Sequence, residues 1–445
     1  MNWWKFLRLR SRLRIFTATP DIRHALAVSL ILVCGLAGLV YCRLGMATQI
    51  ADSGVSSPAG ATHLIARGKY LTIAADCMGC HTGPNHAPFS GGLALQTRFG
   101  TIFSTNITPD KTTGIGNWSN GQFYAALHDG VAPGHDWGFL PNYLYPAMPY
   151  TSYTKLSYQD VMAIKAYLES LPPVRAPRPP NHLAFPFNQR PTMAVWRLFF
   201  FTPGPMQMNP AWPEGIKNGA YLTVALGHCG ECHTPRNFMQ ATIAQKAFAG
   251  AVVDSLFAPN ISSDPYYGLG GWNRDDLISY LRTGYSRAGG SAYGPMRTVI
   301  ENSTSRLSPK DIGDIADYLQ QASTPQATPQ PPAIVDADAS VARGRALYTT
   351  DCSACHGNTG TGMPPIFPNL AGNGSVTAVL PYNVISAVLD GLKGADTSGP
   401  TMPAFANKLN DQNIADIANY IRTAWGNKGG ANTTILQVRK LRGKK

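Results

Sequence analysis

Cys77-Met78-Gly79-Cys80-His81, Cys229-Gly230-Glu231-Cys232-His233 and Cys352-Ser353-Ala354-Cys355-His356 write one pattern three times along a chain of 445 residues. The spacing carries its own chemistry. Two thiols separated by two residues lie on one turn, where both can form thioethers with the vinyl groups of a haem, and the next residue aims its imidazole at the iron. Six of the eight cysteines are used this way. A redox disulfide would sit in a βαβ context that none of the copies has, and zinc would need four ligands per site, which the second and third copies lack the His and Cys to supply. Three covalently bound haems c are expected, attached at Cys77 and Cys80, at Cys229 and Cys232, and at Cys352 and Cys355. His81, His233 and His356 are their proximal iron ligands.

Outward from each motif the chain repeats itself again. Arg67-Gly68-Lys69-Tyr70-Leu71, Asn218-Gly219-Ala220-Tyr221-Leu222 and Arg343-Gly344-Arg345-Ala346-Leu347 open the three repeats. Ser157–Ser170, Ser308–Gln320 and Asn410–Thr423 close them, with apolar residues at helical spacing behind a Ser or Asn cap. Between opener and closer the first two repeats share Asn106-Ile107-Thr108 through Trp118 and Asn260-Ile261-Ser262 through Trp272, whereas the third keeps only Pro368-Asn369-Leu370 before Ala371-Gly372-Asn373. Proline-rich stretches at 172–180 and 325–332 read as semi-rigid linkers. The expected organisation is a leader at 1–47, domains at 60–172, 211–322 and 337–427, linkers at 173–210 and 323–336, and a basic tail at 428–445.

A methionine sulfur on the opposite face of the iron would raise its potential and suit a carrier rather than an oxygen binder. In the second repeat only Met239 and Met296 follow the motif, and Met239 is too close to His233 to reach the other haem face easily. Met296 is therefore expected as the distal ligand. Its counterparts are Met148 and Met402, each beside proline and each ahead of the closing helix. His86, His128 and His135 are rivals in the first repeat, but none recurs in the others.

The formal charge of +12 gathers at the two ends of the chain, and haem propionates would offset it further, so nucleic acid is not an expected partner. Six basic residues precede the apolar stretch Ala25–Tyr41, which reads as a signal or an uncleaved membrane anchor in helical form. Cys34 and Cys42 belong to or border it, and a packed thiol is the plain reading of both. The positive-inside rule sends the rest of the chain outward, to the periplasmic side of a bacterial cytoplasmic membrane, anchored or peripherally attached.

Ser104–Asp110, Leu144–Tyr150, Gly227–Arg236 and Ile414–Trp425 carry a closer likeness. In these stretches the chain resembles the triheme cytochrome c subunits of membrane-bound alcohol and aldehyde dehydrogenases, over about residues 62–428. The resemblance implies a mostly α fold of three tandem class I cytochrome c-like domains, each around one covalent haem. It also implies a separate catalytic dehydrogenase subunit carrying pyrroloquinoline quinone or molybdenum cofactor, with ubiquinone as electron acceptor. The chain itself would then have no substrate-oxidising site. Alternatives are a carrier feeding a terminal oxidase, or a multihaem peroxidase, which needs one iron with an open position.

Leu183–Phe201 is rich in aromatic residues and too short to span a bilayer. It reads either as core between the first two domains, or as a segment on the membrane surface or the catalytic partner. In the second reading Arg190 and Arg197 meet lipid head groups while Trp196, Phe199 and Phe200 enter the interface.

Overall fold

The computed structural model describes residues 58–136, 138–364, 366–392 and 401–443. The expected leader, its apolar helix, Cys34 and Cys42 lie outside the described residues. Among the described residues no helix is long and apolar enough to cross a membrane.

The chain is mostly helical. In the first repeat, helix α1 (Pro58–Ala74) leads into the short α2 (Cys77–His81). Strands β1 (Ala94–Thr97) and β2 (Gly100–Phe103), helix α3 (Asn120–His128), the pair β3 (Val131–Asp136) and β4 (Leu140–Tyr143), and α4 (Tyr158–Glu169) follow. Strand β5 (His182–Leu183) joins β2 in a small antiparallel sheet, Gly100 facing Leu183, and α5 (Thr192–Phe200) comes next. The second repeat holds α6 (Glu214–Ala220), which continues as a π-helical turn over Tyr221–Leu226, and α7 (Gly230–His233). Strands β6 (Ala251–Val253) and β7 (Leu256–Ala258) and helices α8 (Arg274–Thr283), α9 (Pro295–Asn302) and α10 (Pro309–Asp317) complete it. The third repeat has α11 (Ala337–Asp351), α12 (Ser353–His356), α13 (Tyr382–Asp390), α14 (Asp411–Thr423) and α15 (Ile435–Arg442).

Opening and closing helices cross at a glycine in every repeat. A Cβ on Gly68 would lie 1.8 Å from the carbonyl oxygen of Ala163, and one on Gly219 or Gly344 would lie 1.9 Å from that of Asp314 or Asp416. Only glycine lets the two backbones approach so closely. The residue before each glycine then reaches the partner helix. Arg67 Nε donates to Asp160 at 2.9 Å, Asn218 Nδ2 donates to Asp311 and Asp314 at 2.7 Å each, and Arg343 Nε donates to Asp416 at 2.7 Å. The closing helices start at Ser157, Ser308 and Asn410, whose side chains accept from the backbone N–H three residues on. Each such cap contributes about 1 kcal/mol.

The first two repeats share one apolar core running from Leu71, Val161 and Ile164 to Leu226, Ile312 and Leu319. Their contact is reciprocal. Tyr221 donates to Asp160 at 2.7 Å and accepts from the backbone N–H of Ser157 at 3.1 Å. Tyr70, its counterpart, donates to Asp311 and accepts from the N–H of Ser308 at 3.0 Å. The third repeat packs a separate core of Tyr348, Ile385, Ile414 and Ile417. It meets the second through Asn383, whose amide donates to the carbonyl of Phe257 at 2.9 Å and accepts from its N–H at 2.8 Å.

Both proline-rich stretches lie as straps on their own repeat. Asn106 Nδ2 donates to the carbonyl of Val174 at 2.7 Å, and Asn260 Nδ2 to that of Gln326 at 2.6 Å. Thr108 and Ser262 hydroxyls accept from the N–H groups of the same two strap residues, at 3.2 and 3.0 Å. The end of the chain, legible in sequence only as a basic tail, forms α15, which buries Val438 and Leu441 on the third core. Burying two such side chains is favourable by roughly 3–6 kcal/mol before entropy.

Helix α5 divides the two readings of its segment between its faces. Met193 and Trp196 are buried beside Tyr150 and Ala241. Val195, Leu198 and Phe199 are 60%, 64% and 70% exposed. Trp196 therefore belongs to the core, not to an interface, because its indole N–H finds a partner inside, the Met239 carbonyl at 2.9 Å. Arg190 and Arg197 also turn inward. Arg190 donates to the Tyr143 carbonyl at 2.8 Å, and Arg197 stands over the rings of Tyr143, Tyr150 and Phe201.

Candidate functional site

Each motif forms a short helical turn directly after an opening helix, so its two thiols and its imidazole are positioned by the helix that crosses the closing helix of the repeat. The three imidazoles are held alike. His81 Nδ1 lies 2.7 Å from the carbonyl oxygen of Thr105, His233 Nδ1 2.7 Å from that of Pro259, and His356 Nδ1 3.0 Å from that of Pro368. A carbonyl only accepts, so Nδ1 keeps the proton and Nε2 keeps its lone pair for a metal. Burial pushes all three imidazoles below the usual histidine range, which keeps them neutral.

The residue after each of these carbonyls is an asparagine. Asn106 and Asn260 tie down the straps, and Asn369 Nδ2 donates to the carbonyl of Arg287 at 2.9 Å in the second repeat. The matched Asn-Ile-Thr, Asn-Ile-Ser and Pro-Asn-Leu segments thus fix the acceptor that orients the imidazole. Their recurrence was visible in the sequence; this task was not.

The thiols are not poised as nucleophiles. Burial pushes Cys77 and Cys229 up to about 12, and Cys80 and Cys352 up to about 11. Neutral sulfurs side by side on one turn suit thioether formation rather than thiolate chemistry or zinc. Cys355, on the outer side of the third turn, is exposed.

In the second repeat the motif opens on a cavity of about 700 Å³. Cys229, Cys232, His233 and Met296 all line it, with Phe257 and Trp272 among the walls. That volume lies within the ~300–1,000 Å³ of ordinary cofactor and ligand sites. Tyr293, also on its wall, has a buried hydroxyl with no hydrogen-bond partner among the described residues, and burial holds it far above the usual phenol range. An orphaned donor in an apolar cavity that a histidine with its Nδ1 already bonded also lines fits a flat macrocycle carrying polar edge groups. Gly374, Asn383 and Lys428 of the third repeat complete the wall.

Met148 and Cys77 pack against the shared core of the first two repeats, as do Met296 and Cys229. Met402 and Cys352 pack against the third core, and Met402 pairs with Leu392 through backbone hydrogen bonds of 2.8 and 3.0 Å. Of the rival histidines, His128 stacks on Tyr124 and bonds to Asp129 at 2.8 Å, His86 lies over Gly92, and His135 is exposed.

Two further residues escaped the sequence reading. Asp76 and His228 stand immediately before the first cysteine of their motifs, both at positive φ (46° and 37°). Burial raises Asp76 to about 7, although Gly79 N–H donates to it, and burial lowers His228. Tyr153 bridges the two turns: its hydroxyl donates to the Ala75 carbonyl at 3.1 Å while its ring meets that of His228 at 5.5 Å.

Helix crossing, thioether turn and oriented imidazole together define a c-type cytochrome, whose haem is bound covalently. Residues 341–425 match the cytochrome c family. Over most of its length the chain is 37% identical to the gluconate 2-dehydrogenase cytochrome c subunit of Pantoea cypripedii, covering 85% of this chain and 89% of that protein. It is 38% identical to the fructose dehydrogenase cytochrome subunit of Gluconobacter japonicus, with 82% and 79% covered. Against the cytochrome c subunit of the quinone alcohol dehydrogenase of Komagataeibacter europaeus it is 34% identical, with 87% and 86% covered. The chain belongs to the family of cytochrome c subunits of dehydrogenase complexes, which are electron-transfer proteins.

Proposed function

We propose that the chain carries three haems c, one in each of domains 60–172, 211–322 and 337–427, and relays electrons from a catalytic dehydrogenase subunit to membrane ubiquinone. The observation that carries this reading is the threefold arrangement in which a histidine behind two neighbouring thiols donates a hydrogen bond from Nδ1–H to a backbone carbonyl. Bound haem supplies one-electron chemistry at iron. The chain's own residues do the rest. Six cysteines would tether the macrocycles, His81, His233 and His356 would ligate the irons, and Met148, Met296 and Met402 would supply the second protein ligands. The core shared by the first two repeats and the third repeat's share in the second cavity support passage through the sites with the second repeat in the middle.

The names of the relatives support a dehydrogenase partner, and the family resemblance suggests pyrroloquinoline quinone or molybdenum cofactor as the group it carries. Attachment to the periplasmic face of the cytoplasmic membrane would use the N-terminal segment, helped by the exposed face of α5. The intact mass of the matured protein tests the haem count, and fewer than three haems refutes it. Met296→Ala tests the ligand set: one of three midpoint potentials falls, and three unchanged potentials would overturn the assignment.

A further inference from the structure

The third repeat reaches into the site of the second. Gly374, Thr377, Asn383, Asn427 and Lys428 all line the cavity of about 700 Å³ on which Cys229, Cys232, His233 and Met296 open. Among the described residues of that wall, Lys428 alone is a lysine or arginine. Nothing else there offers a positive charge. Burial holds His228 below the usual histidine range, His233 is reserved for iron, and Asp76 is itself an acid. The Lys428 side chain is exposed, and its ammonium has neither an ion pair nor a hydrogen bond among the described residues.

The backbone that carries this lysine is fixed on both sides. Asn427 Nδ2 donates to the carbonyls of Leu370 at 2.9 Å and Ile421 at 2.8 Å, and its Oδ1 accepts from the N–H of Gly372 at 2.8 Å. Gly429 N–H donates to the Arg422 carbonyl at 2.9 Å, and the Arg422 guanidinium donates back to the carbonyl of Gly429. The same body is bonded to the second repeat beside the cavity. Gly374 N–H donates to the Ala288 carbonyl at 2.7 Å, and Asn369 Nδ2 to that of Arg287 at 2.9 Å.

We propose that Lys428 anchors the acidic edge of the haem attached to the second motif, its ammonium pairing with a haem carboxylate, so that the second site is completed by the third repeat. The inference rests on the three-haem reading and deepens it. A haem brings two carboxylates to a wall that is otherwise apolar or neutral, and a carboxylate partly removed from water needs a donor of opposite charge. Lysine suits the task, as a point charge on a flexible stem that starts from a fixed backbone. The pair crosses the boundary between repeats, so haem at the second motif adds a contact between them that the protein alone lacks. It also acts on the iron. The haem loses one positive charge on reduction, so a cation beside it favours the ferrous form and raises its potential.

The test uses the matured full-length cytochrome in its complex, with haem content read from mass and the three midpoint potentials from a spectroelectrochemical titration. Lys428→Gln should keep all three haems and lower one potential, the one that Met296→Ala also lowers. The expected shift is about threefold in the ferric-to-ferrous ratio at a fixed electrode potential. Lys428→Arg should keep the wild-type value, and Lys428→Glu should lower it further. Raised salt should narrow the gap between Lys428→Gln and wild type. Lys440→Gln removes the same charge from an exposed position on α15 and should move none of the three. Unchanged potentials in Lys428→Gln, an equal shift in Lys440→Gln, or a shift in a haem that Met296→Ala does not move overturns the anchor and leaves the three-haem reading standing. A matured wild type with no haem on the peptide containing Cys229 and Cys232 overturns that reading, and the anchor with it.

Discussion

The first two repeats and the third are built from the same helix crossing, yet they obtain their stability differently. Repeats one and two have one core between them, and each closing helix is capped in part by a tyrosine from the other repeat. The third has its own core, closed by α15 and by Arg422, which is fully buried. Arg422 donates to the carbonyls of Val376 at 2.9 Å and Ala378 at 2.8 Å, to that of Gly429, and to Asn432 at 3.2 Å. The difference teaches that one ancestral plan can give either half of a cooperative pair or a self-contained body. What decides is whether the helix ends are satisfied by a neighbour or from within.

That contrast breaks most easily at Arg422. Arg422→Met leaves several buried carbonyls without donors, a loss of about 3–5 kcal/mol. If each repeat carries a haem, as proposed, the third should unfold and mature without its own while the other two keep theirs, so the intact mass should show two haems. A mass showing none would mean that the third core is not separate.

Gly219→Val forces a side chain into a space where a Cβ already meets the Asp314 carbonyl at 1.9 Å. Overpacking of this kind costs about 1–3 kcal/mol or more. Calorimetry should show repeats one and two losing stability together, whereas Gly344→Val should move only the transition of the third. Tyr221→Phe is milder: it removes two hydrogen bonds across the pair, at about 0.5–1.5 kcal/mol each. It should lower the midpoint of the pair's transition and leave the third where it was; a shift of both would contradict the division.

A dependence on pH is expected from Asp76, which stands immediately before the first motif. Its carboxyl titrates near 3.8 when unfolded and is raised to about 7 by burial, so the folded state binds the extra proton between those values. The pair's stability should therefore decline as pH rises from about 4 through about 7. Asp76→Asn should flatten that slope in thermal melts across the window, and an unaltered slope would remove Asp76 as its cause.

How much of this could be read from the chain follows from the range of each interaction. The Cys-x-x-Cys-His turns and the caps at Ser157, Ser308 and Asn410 are local, and repetition exposed them; the glycine of each opening helix also recurred visibly, but its contact with a distant closing helix did not. Tyr70 meeting Asp311, 241 residues away, and Thr151 meeting Glu231, 80 away, leave no periodic trace. The α5 segment was legible as apolar but not as two-faced, because the inward turn of Trp196 depends on a carbonyl at Met239. Helix α15 hid behind its arginines and lysines. Its capping box at Thr434 and Gln437 is a local signal that could have located it.

The exchanged tyrosines have a consequence for lineage and assembly. Tyr70 and Tyr221 make the same pair of contacts in opposite directions, so the surface between the first two repeats is close to self-complementary, the property of an isologous homodimer. A fragment holding only one of these repeats would present that surface unpaired and should associate with a second copy of itself. Joining two copies in one chain makes the partner permanently available, and it lets the twin sites diverge, as Asp76 and His228 have, while the seam between them stays alike.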